Sequence, residues 1–303
     1  MKKILVIGSI NMDLVTFCER APRAGETLFG KEFLQIPGGK GANQAVAMGK
    51  LKSDITMLGK IGMEGMGDIL VDSMKKDGVN VSNIEKCEKS TGIAKIIVEE
   101  SGQNRILVVS GANSEVSIDY INKHIKEVEN SDIIVTQLEI PIDTVRYILK
   151  KGKELGKITV LNPAPAMNLD LEIIKNSDYI IPNETELEIL TGIKTDTESG
   201  VEKAAYELLK KGVKGLIVTL GSKGCIYIDK DKKIEFKAHK VKAIDTTAAG
   251  DSFIGGFVNG ISQGLSLEES INRGMTTAAI SVTRVGAQTS IPTLDEVLNF
   301  KGE

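Results

Sequence analysis

The chain has 303 residues, more than an average domain but within the range of a single large α/β domain, with 26% charged and 41% hydrophobic residues. Aromatic residues make up only 4% and Trp is absent, which argues against base-stacking platforms for single-stranded nucleic acid. The formal charge of −3 and the dispersed lysines provide no basic field, so we expect neither a nucleic acid nor a membrane as a partner.

The cysteines and the N-terminus indicate a reducing compartment. Cys18, Cys87 and Cys225 are far apart and form no CxxC or Cys/His spacing, so neither a disulfide framework nor a zinc site is indicated. The first apolar run stops before Asn11 and Asp13, which is too short for a secretory signal. No later run approaches the ~18 apolar residues of a membrane span. We therefore expect a cytoplasmic protein.

Short β-branched runs alternate along the chain with amphipathic helical patterns. The runs are nearly all apolar, as strands buried on both faces are. This alternation predicts an α/β fold with a mostly parallel central sheet covered by helices on both faces, and with its ligand site at the carboxyl edge. In chain order, the predicted strands are KILVIGS, DITMLGK, DIIVTQL, KITVLN, DYIIPN and GLIVTLG, and the clearest helical patterns are GGKGANQAVAMGKL, GMGDILVDSMKKDGV, PIDTVRYILKKGKELG and ETELEILTG.

Two segments, about 10–37 and 90–110, do not fit this alternation. The second one has the pattern of two strands around a turn at Ser101 and Gly102. We expect both segments to form a small separate sheet, the lid sheet, that covers the carboxyl edge and also provides a homodimer surface. No repeat, low-complexity tract or linker marks a second domain, so the sequence predicts one domain over 1–303.

Polar loops follow five of the six predicted strands: SINMD, QLEIP, LNPAPA, PNETE and TLGSKG. For any single loop, turn formation explains the polar residues about as well as ligand binding does. Five such loops at one edge favour a ligand site. Asn11 and Asp13 are two apart in an extended segment, so their side chains share a face that suits a polyol. A polar edge strand is an equal alternative on this evidence.

Two acidic residues, Asp245 and Asp251, bracket the small residues TTAAG just before a helical pattern. If the helix begins near Ala249 or Gly250, its free N–H groups and dipole form a seat for an anion. We expect the same field to keep Asp251 ionised, so that it can accept a proton from a bound hydroxyl during phosphoryl transfer. An ordinary helix-terminal carboxylate is the alternative. Asp245 is either a turn residue or holds a cation beside the seat.

Two further helix starts carry polar side chains at ligand-like spacing. In PGGKGANQA, Lys40 and Asn43 are one turn apart and suit sugar hydroxyls, with an ordinary glycine-containing turn as the alternative. In NETE, Asn183 and Glu186 suit the orientation of a hydrated magnesium ion, with helix capping as the alternative. The chain has neither a GxxxxGK[ST] loop nor a strand-GxGxxG-helix pattern, which excludes the Walker-type and dinucleotide-binding fingerprints.

The chain resembles the ribokinase family of carbohydrate kinases, also called the PfkB family. The resemblance implies a ribokinase-like fold and ATP-dependent phosphorylation of D-ribose at O5, with Mg²⁺ accompanying ATP and K⁺ as an activator. Deoxyribose, another sugar or a nucleoside is an alternative substrate, and a non-catalytic sugar sensor is an alternative against which Asp251 argues. The supporting motifs occur in family order over nearly the whole chain: GSINMD, PGGKGANQA, GQNRILVVSGAN, QLEIP, NPAPA, PNETE, TLGSKG, DTTAAGDSF and SVTRVGAQTSIP.

The same resemblance implies roles for individual positions. Asp251 would be the base that deprotonates the sugar, and the backbone of Ala248, Ala249 and Gly250 would form the anion hole. The sugar would contact Asn11, Asp13, Gly39, Lys40, Gly41, Asn43, Glu139 and Asp251. ATP would contact Asn183, Thr219, Gly221, Ser222, Gly224, Gly250 and Met275. Glu186 would organise magnesium indirectly, and potassium would be held at Asp245, Thr247, Ser281, Arg284, Gly286 and Ser290.

Two positions depart from the family pattern. Glu64 stands in a loop before a helix where relatives usually carry Asp. Met275 stands where Asn or His is common near the adenine. Neither position belongs to the residues that would carry out phosphoryl transfer.

Overall fold

The structure, a computed structural model, describes residues 1–302 and contains sheets of eight, four and two strands. The strands are β1 (Ile4–Ile7), β2 (Asn11–Cys18), β3 (Glu32–Gly38), β4 (Ile55–Leu58), β5 (Lys60–Gly62), β6 (Glu85–Cys87), β7 (Gly92–Glu99), β8 (Asn104–Val109), β9 (Ile133–Thr136), β10 (Ile158–Leu161), β11 (Tyr179–Ile180), β12 (Gly215–Thr219), β13 (Cys225–Asp229) and β14 (Lys233–Phe236). The six predicted strands correspond to β1, β4, β9, β10, β11 and β12, and they pair with one another in parallel.

The eight-stranded sheet has the order β14-β13-β12-β11-β10-β9-β1-β4. Its β13 and β14 pair antiparallel at one edge and were absent from the predicted strands. They follow β12 through short turns rather than through a helix, so they do not produce the alternation on which that prediction depends. The mostly parallel sheet itself is confirmed.

Helices cover both faces of this sheet because successive strand side chains point to opposite sides. In β1, Ile4 and Val6 belong to the hydrophobic cluster on one face of the sheet, and Leu5 and Ile7 belong to the cluster on the other face. No described helix is long and apolar enough to cross a bilayer. The helices are α1 (Lys40–Lys50), α2 (Gly65–Lys76), α3 (Ile118–Lys123), α4 (Ile125–Asn130), α5 (Ile142–Glu154), α6 (Leu171–Lys175), α7 (Glu184–Thr191), α8 (Glu198–Lys210), α9 (Ala249–Gln263), α10 (Leu267–Ser281) and α11 (Leu294–Leu298).

The lid sheet has the order β3-β2-β7-β8, and its strands come from the two segments predicted to form it. Parallel pairing of β2 with β7 joins the two segments. The turn between β7 and β8 contains Gly102 with φ of 82°, a left-handed conformation that favours glycine. The buried Asn113 accepts from Ile10 N at 2.9 Å and donates to Asn11 Oδ1 at 2.7 Å, which fixes the start of β2.

Glu64 fixes the backbone just before β7, where the second segment of the lid sheet begins. Its Oε1 accepts a hydrogen bond from Thr91 N, just before β7, at 2.7 Å. Thr91 Oγ1 in turn accepts from Gly62 N at 3.0 Å. The glutamate that departs from the family pattern therefore connects the β5–α2 loop to the base of a lid strand.

Candidate active site at the start of helix α9

A cavity of about 210 Å³ lies at the carboxyl edge of the main sheet, where α9 begins. Its walls come from the ends of β10, β11 and β12 and from the first turns of α1, α7 and α9. This is the edge at which the polar loops were predicted to converge. The lining residues are Lys40, Asn162, Ile181, Asn183, Glu186, Thr219, Thr246, Thr247, Gly250, Asp251 and Ile254.

Asp251 lies in the first turn of α9 and is only 7% exposed. Both oxygens of its carboxylate accept hydrogen bonds from side-chain amides of α1. Asn43 Nδ2 donates to Oδ2 at 3.0 Å, and Gln44 Nε2 donates to Oδ1 at 2.9 Å. An ordinary helix-terminal carboxylate would be solvated or would cap its own helix. Asp251 instead joins α9 to α1 inside the protein.

Burial shifts the protonation equilibrium of the Asp251 carboxylate. It raises the pKa of Asp251 against the opposing effects of the Lys40 ammonium and the two amides. The helix dipole at the start of α9 favours the ionised carboxylate, so it acts in the same direction as Lys40 and the amides and against burial. Burial alone would lower the pKa of Lys40, but Asp251, Glu139 and Glu186 together raise it. Lys40 is therefore a charged ammonium among several carboxylates.

Asp13 lies beside this group on β2. Burial, with the nearby charges of Glu139 and Asp251, raises the pKa of Asp13 to about 7. Its carboxylate lies against Gly38, where a Cβ atom would be 2.4 Å from Asp13 Oδ2. Asp13 can therefore exchange a proton near neutral pH and accept or donate a hydrogen bond.

The remaining predicted sugar residues lie around the start of α1. Gly39 has φ of 89°, and a Cβ atom there would lie 2.7 Å from Asn11 N. Glu139 Oε2 accepts from Lys40 N at 3.2 Å and also from the Ser9 hydroxyl. The β1–β2 loop, the start of α1 and the loop after β9 thus meet here. The sugar set brought together is Asn11, Asp13, Gly39, Lys40, Gly41, Asn43 and Glu139.

The first turn of α9 has the geometry expected of an anion seat. Ala248 is the residue before the helix, and Ala249 is its first residue. A Cβ atom at Gly250 would meet nothing within 4 Å, so this backbone faces open space and lines the cavity. The N–H groups of a first helical turn have no partner within their own helix. An anion could therefore approach the backbone beside Asp251.

Asn183 and Glu186 form the capping pair that was the alternative to a magnesium role. Asn183 Oδ1 accepts from Glu186 N at 2.8 Å, and Asn183 N donates to Glu186 Oε2 at 2.9 Å. Both residues also line the cavity. Burial raises the pKa of Glu186 despite the Asn183 hydrogen bond and the Lys40 charge. Capping thus holds the carboxylate at the cavity wall.

The other residues predicted to bind the nucleotide do not all lie at the cavity. Thr219 lines the cavity. Gly221 and Ser222 lie in the exposed 3₁₀ turn that follows it, and Gly224 ends that turn with φ of 111°. Met275 is 8% exposed within the hydrophobic core and is not among the lining residues of the cavity.

Asp245 lies just before the anion seat and is held by two segments. It accepts from Thr247 N and from Gly286 N, each at 2.9 Å, and from the Thr247 hydroxyl. Its own N–H donates to Val282 O at 3.2 Å. Burial alone would raise the pKa of Asp245, but the hydrogen bonds from Thr247 and Gly286 outweigh it and lower the pKa.

The other residues predicted for potassium already have side-chain partners. Ser281 Oγ donates to Ala278 O at 2.9 Å, and Ser290 Oγ donates to Ala287 O at 2.8 Å. The Arg284 guanidinium pairs with Glu296, so only its backbone oxygen suits a cation. Within residues 1–302 there is no cluster of three or more His, Cys, Asp or Glu side chains that could hold a metal.

Apart from Asn43, the buried side-chain amides around Asp251 were not among the predicted site residues. Gln44 donates to Asn162 Oδ1 at 3.1 Å in addition to Asp251, and Gln137 and Gln288 lie one hydrogen bond further out. The motifs GANQA, QLEIP, NPAPA and GAQTSIP contain all four of these residues, so their presence in shared motifs was an available signal. The hydrogen bonds that link them, directly or through Asn43 and Gln44, to Asp251 are set by packing between distant segments.

Known proteins resemble the chain over almost all of its length. The family model described as pfkB family carbohydrate kinase matches residues 1–294. The ribokinase of Lactococcus lactis is 41% identical over 98% of this chain and 96% of its own. The deoxyribokinase of Salmonella typhi is 39% identical over 97% and 96%, respectively.

A solved structure shows the same fold. Arabidopsis thaliana ribokinase, complexed with ribose and ATP, superimposes with a TM-score of 0.93 at 31% identity over 99% of each chain. The ribokinase-like architecture expected from the motifs is therefore confirmed. The chain belongs to the pfkB family of carbohydrate kinases.

Proposed function

We propose that the chain transfers the γ-phosphoryl group of ATP to O5 of D-ribose, giving D-ribose 5-phosphate and ADP. The observation that carries this proposal is the buried Asp251 carboxylate beside the open backbone of Gly250. Asp251 accepts the proton of the 5-hydroxyl, O5 forms a bond to the γ-phosphorus, and the bond from that phosphorus to the β–γ bridging oxygen breaks. The similarity to ribokinases, one of them solved with ribose and ATP, supports this substrate.

The raised pKa of Asp251 suits this task. A carboxylate with an ordinary pKa is a weak base at neutral pH, and burial makes it a stronger one. Lys40 limits this effect and keeps a positive charge at the cavity, where phosphoryl transfer brings negative charge. Asn11, Asp13, Gly39, Gly41, Asn43 and Glu139 would hold the sugar on the other side of Asp251.

The nucleotide would lie on the α7 and β12 side of the same cavity. Asn183, Thr219 and Gly250 line that side, and the turn with Gly221, Ser222 and Gly224 follows directly. The backbone of Ala248, Ala249 and Gly250 would form the anion hole. Met275 would contact adenine only through a surface that is now 8% exposed.

The donors at the cavity fit hard cations. Carboxylate and carbonyl oxygens are the preferred ligands of magnesium, and Glu186 presents a carboxylate at the wall. Magnesium would neutralise the phosphate charges of ATP, with Glu186 acting through bound water. Potassium would be held by Asp245 and by oxygens of Thr247, Ser281, Arg284, Gly286 and Ser290, since hydrogen bonds between 245–247 and 282–286 bring these segments together.

Four further proposals concern the chain as a whole. Over 1–303 the chain would work as one domain in the cytoplasm, with the lid segments near 10–37 and 90–110 closing over the sugar to exclude water. Strand β8 exposes Ile106, Leu107, Val108 and Val109, at 57%, 66%, 51% and 44%. A contiguous apolar surface of this kind suits an interface between two copies, so we expect a homodimer by light scattering.

A coupled assay of ADP formation tests the substrate. We expect ribose to give the highest kcat/KM among ribose, deoxyribose, fructose 6-phosphate and adenosine. Deoxyribose is the main competitor, because a deoxyribokinase is as similar to the chain as the ribokinases are. A higher kcat/KM for deoxyribose would replace ribose as the substrate, and no ADP with any acceptor would favour a sugar-binding sensor.

A further inference from the structure

Two buried glutamines lie one hydrogen bond beyond the amides that contact Asp251. Gln288 Nε2 donates to Asn43 Oδ1 at 3.2 Å, and Gln137 Nε2 donates to Gln44 Oε1 at 2.7 Å. Both glutamines are at most 3% exposed, and the Oε1 atom of each has no hydrogen-bond partner within residues 1–302. Neither glutamine has a place among the sugar, nucleotide or cation residues.

Two hydrogen bonds join Gln288 to α1. Its side chain reaches Asn43 in the first turn, and its backbone oxygen accepts from Lys50 Nζ at the end of the helix at 2.7 Å. Lys50 also donates to Ile291 O at 3.2 Å. The loop that carries Gln288 is therefore fixed to the helix that carries Asn43.

The direction of these hydrogen bonds is determined by Asp251. An ionised carboxylate only accepts, so Asn43 must direct its NH₂ group towards Asp251 and its oxygen away. That oxygen is buried and needs a donor, which Gln288 supplies. Without this donor, Asn43 would hold an unpaired oxygen and could turn over, directing that oxygen towards the carboxylate.

We propose that Gln288 is a positioning residue for the catalytic base: its amide fixes the orientation in which Asn43 donates to Asp251. Gln137 has the corresponding relation to Gln44 on the other carboxylate oxygen. The inference rests on the proposed function only for the role of Asp251 as base. The hydrogen-bond chain itself can be tested without substrate.

Four charged or titratable groups face Asp251 from the surrounding elements. They are Lys40 of α1, Glu139 after β9, Asp13 of β2 and Glu186 of α7. Replacement of Gln288 by methionine leaves all four in place and changes no formal charge. A change in the titration of Asp251 would therefore report the loss of the amide chain.

The direct test follows the ¹³C-carboxyl signal of Asp251 by NMR in the full chain without ligands, assigned with Asp251→Asn. In Gln288→Met we expect the pKa of Asp251 to rise by about one unit, as for the loss of one hydrogen bond to a charged group. Gln137→Met should produce a similar shift. Gln263→Met is the matched control, because Gln263 is exposed at the end of α9, and it should leave the titration unchanged.

Kinetics provide a second readout that a merely structural role would not change. In Gln288→Met the acid limb of the pH profile of kcat should move to higher pH by the same amount as the NMR titration of Asp251. The value of kcat should recover as the pH rises. An unchanged Asp251 titration in folded Gln288→Met would overturn the proposal. If that variant does not fold, Gln288→Asn, whose amide is one methylene shorter, decides in the same way. A shifted titration in a chain that phosphorylates no sugar would retain the positioning role and reject the proposed activity.

Discussion

The two aspartates on either side of residues 246–250 have opposite surroundings. Asp251 is buried and receives hydrogen bonds from the side-chain amides of Asn43 and Gln44. Asp245 is only half-buried and receives hydrogen bonds from the backbone N–H groups of Thr247 and Gly286. Only five residues separate them along the chain.

Their pKa values move in opposite directions for this reason. Burial raises the pKa of Asp251, whereas backbone and hydroxyl donors lower the pKa of Asp245 against the effect of burial. Asp245 therefore keeps its negative charge over a wide pH range, as a cation ligand should. Asp251 binds a proton more readily, as a general base should. The comparison shows that the role of each carboxylate follows from the groups that replace its water.

Replacing Asp251 and Asp245 by asparagine, one at a time, should give the largest measurable difference between the proposed base and the proposed cation ligand. Asp251→Asn removes the proton acceptor but keeps the shape, so we expect kcat to fall by about 10²–10⁴-fold with sugar affinity retained. Asp245→Asn should retain a much larger part of kcat. Steady-state kinetics and calorimetric titration with ribose measure both effects. Equal losses in the two variants, or a fully active Asp251→Asn, would contradict the assignment.

Asp13 shares the surroundings of Asp251, and its titration should appear in stability. The folded state holds this proton up to about pH 7, whereas the unfolded chain releases it near pH 4. The stabilisation from Asp13 is therefore present at low pH and is lost as the pH rises through this window. Between about pH 5 and pH 8, Asp13→Asn should gain on the order of 2 kcal/mol relative to the wild type.

Urea unfolding of the three proteins at both pH values checks this expectation. Asp245→Asn is the matched control, because the lowered pKa of Asp245 places its titration below this window. Its difference from the wild type should be the same at both pH values. Parallel pH dependence of Asp13→Asn and the wild type would show that Asp13 stays ionised in the folded protein.

The main sheet could be predicted because its signal is local. Six apolar runs separated by helical patterns are visible in the sequence, and each became a parallel strand. The lid sheet could be predicted from the same rule, since its segments break the alternation. Strands β13 and β14 also break the strand–helix alternation. They join the main sheet, because β13 follows β12 through a tight turn, and no local feature of the sequence distinguishes them from the lid strands.

The site could be predicted only to the level of its motifs. The sequence identifies Asp251 and Asn43, and the structure brings them within 3.0 Å although 208 positions separate them. The burial that raises the pKa of Asp251 depends on how α1 packs against α9, and the sequence around Asp251 carries no signal for it. Gln288 also lies in a recognised motif, but its contact with Asn43 spans 245 positions and has no local signature.

The smallest expected effect concerns the cation proposed at Asp245. Replacement of potassium by lithium at equal ionic strength should lower turnover several-fold, since the smaller ion cannot contact widely spaced oxygens at the same time. Because Asp245 would supply the only carboxylate among the proposed ligands, Asp245→Asn should show equal turnover in the two salts. Gln263→Met, at an exposed position, should keep the wild-type difference. Indifference of the wild type to the cation would leave Asp245 with the role its hydrogen bonds to Thr247 and Gly286 already describe, that of joining two loops beside the anion seat.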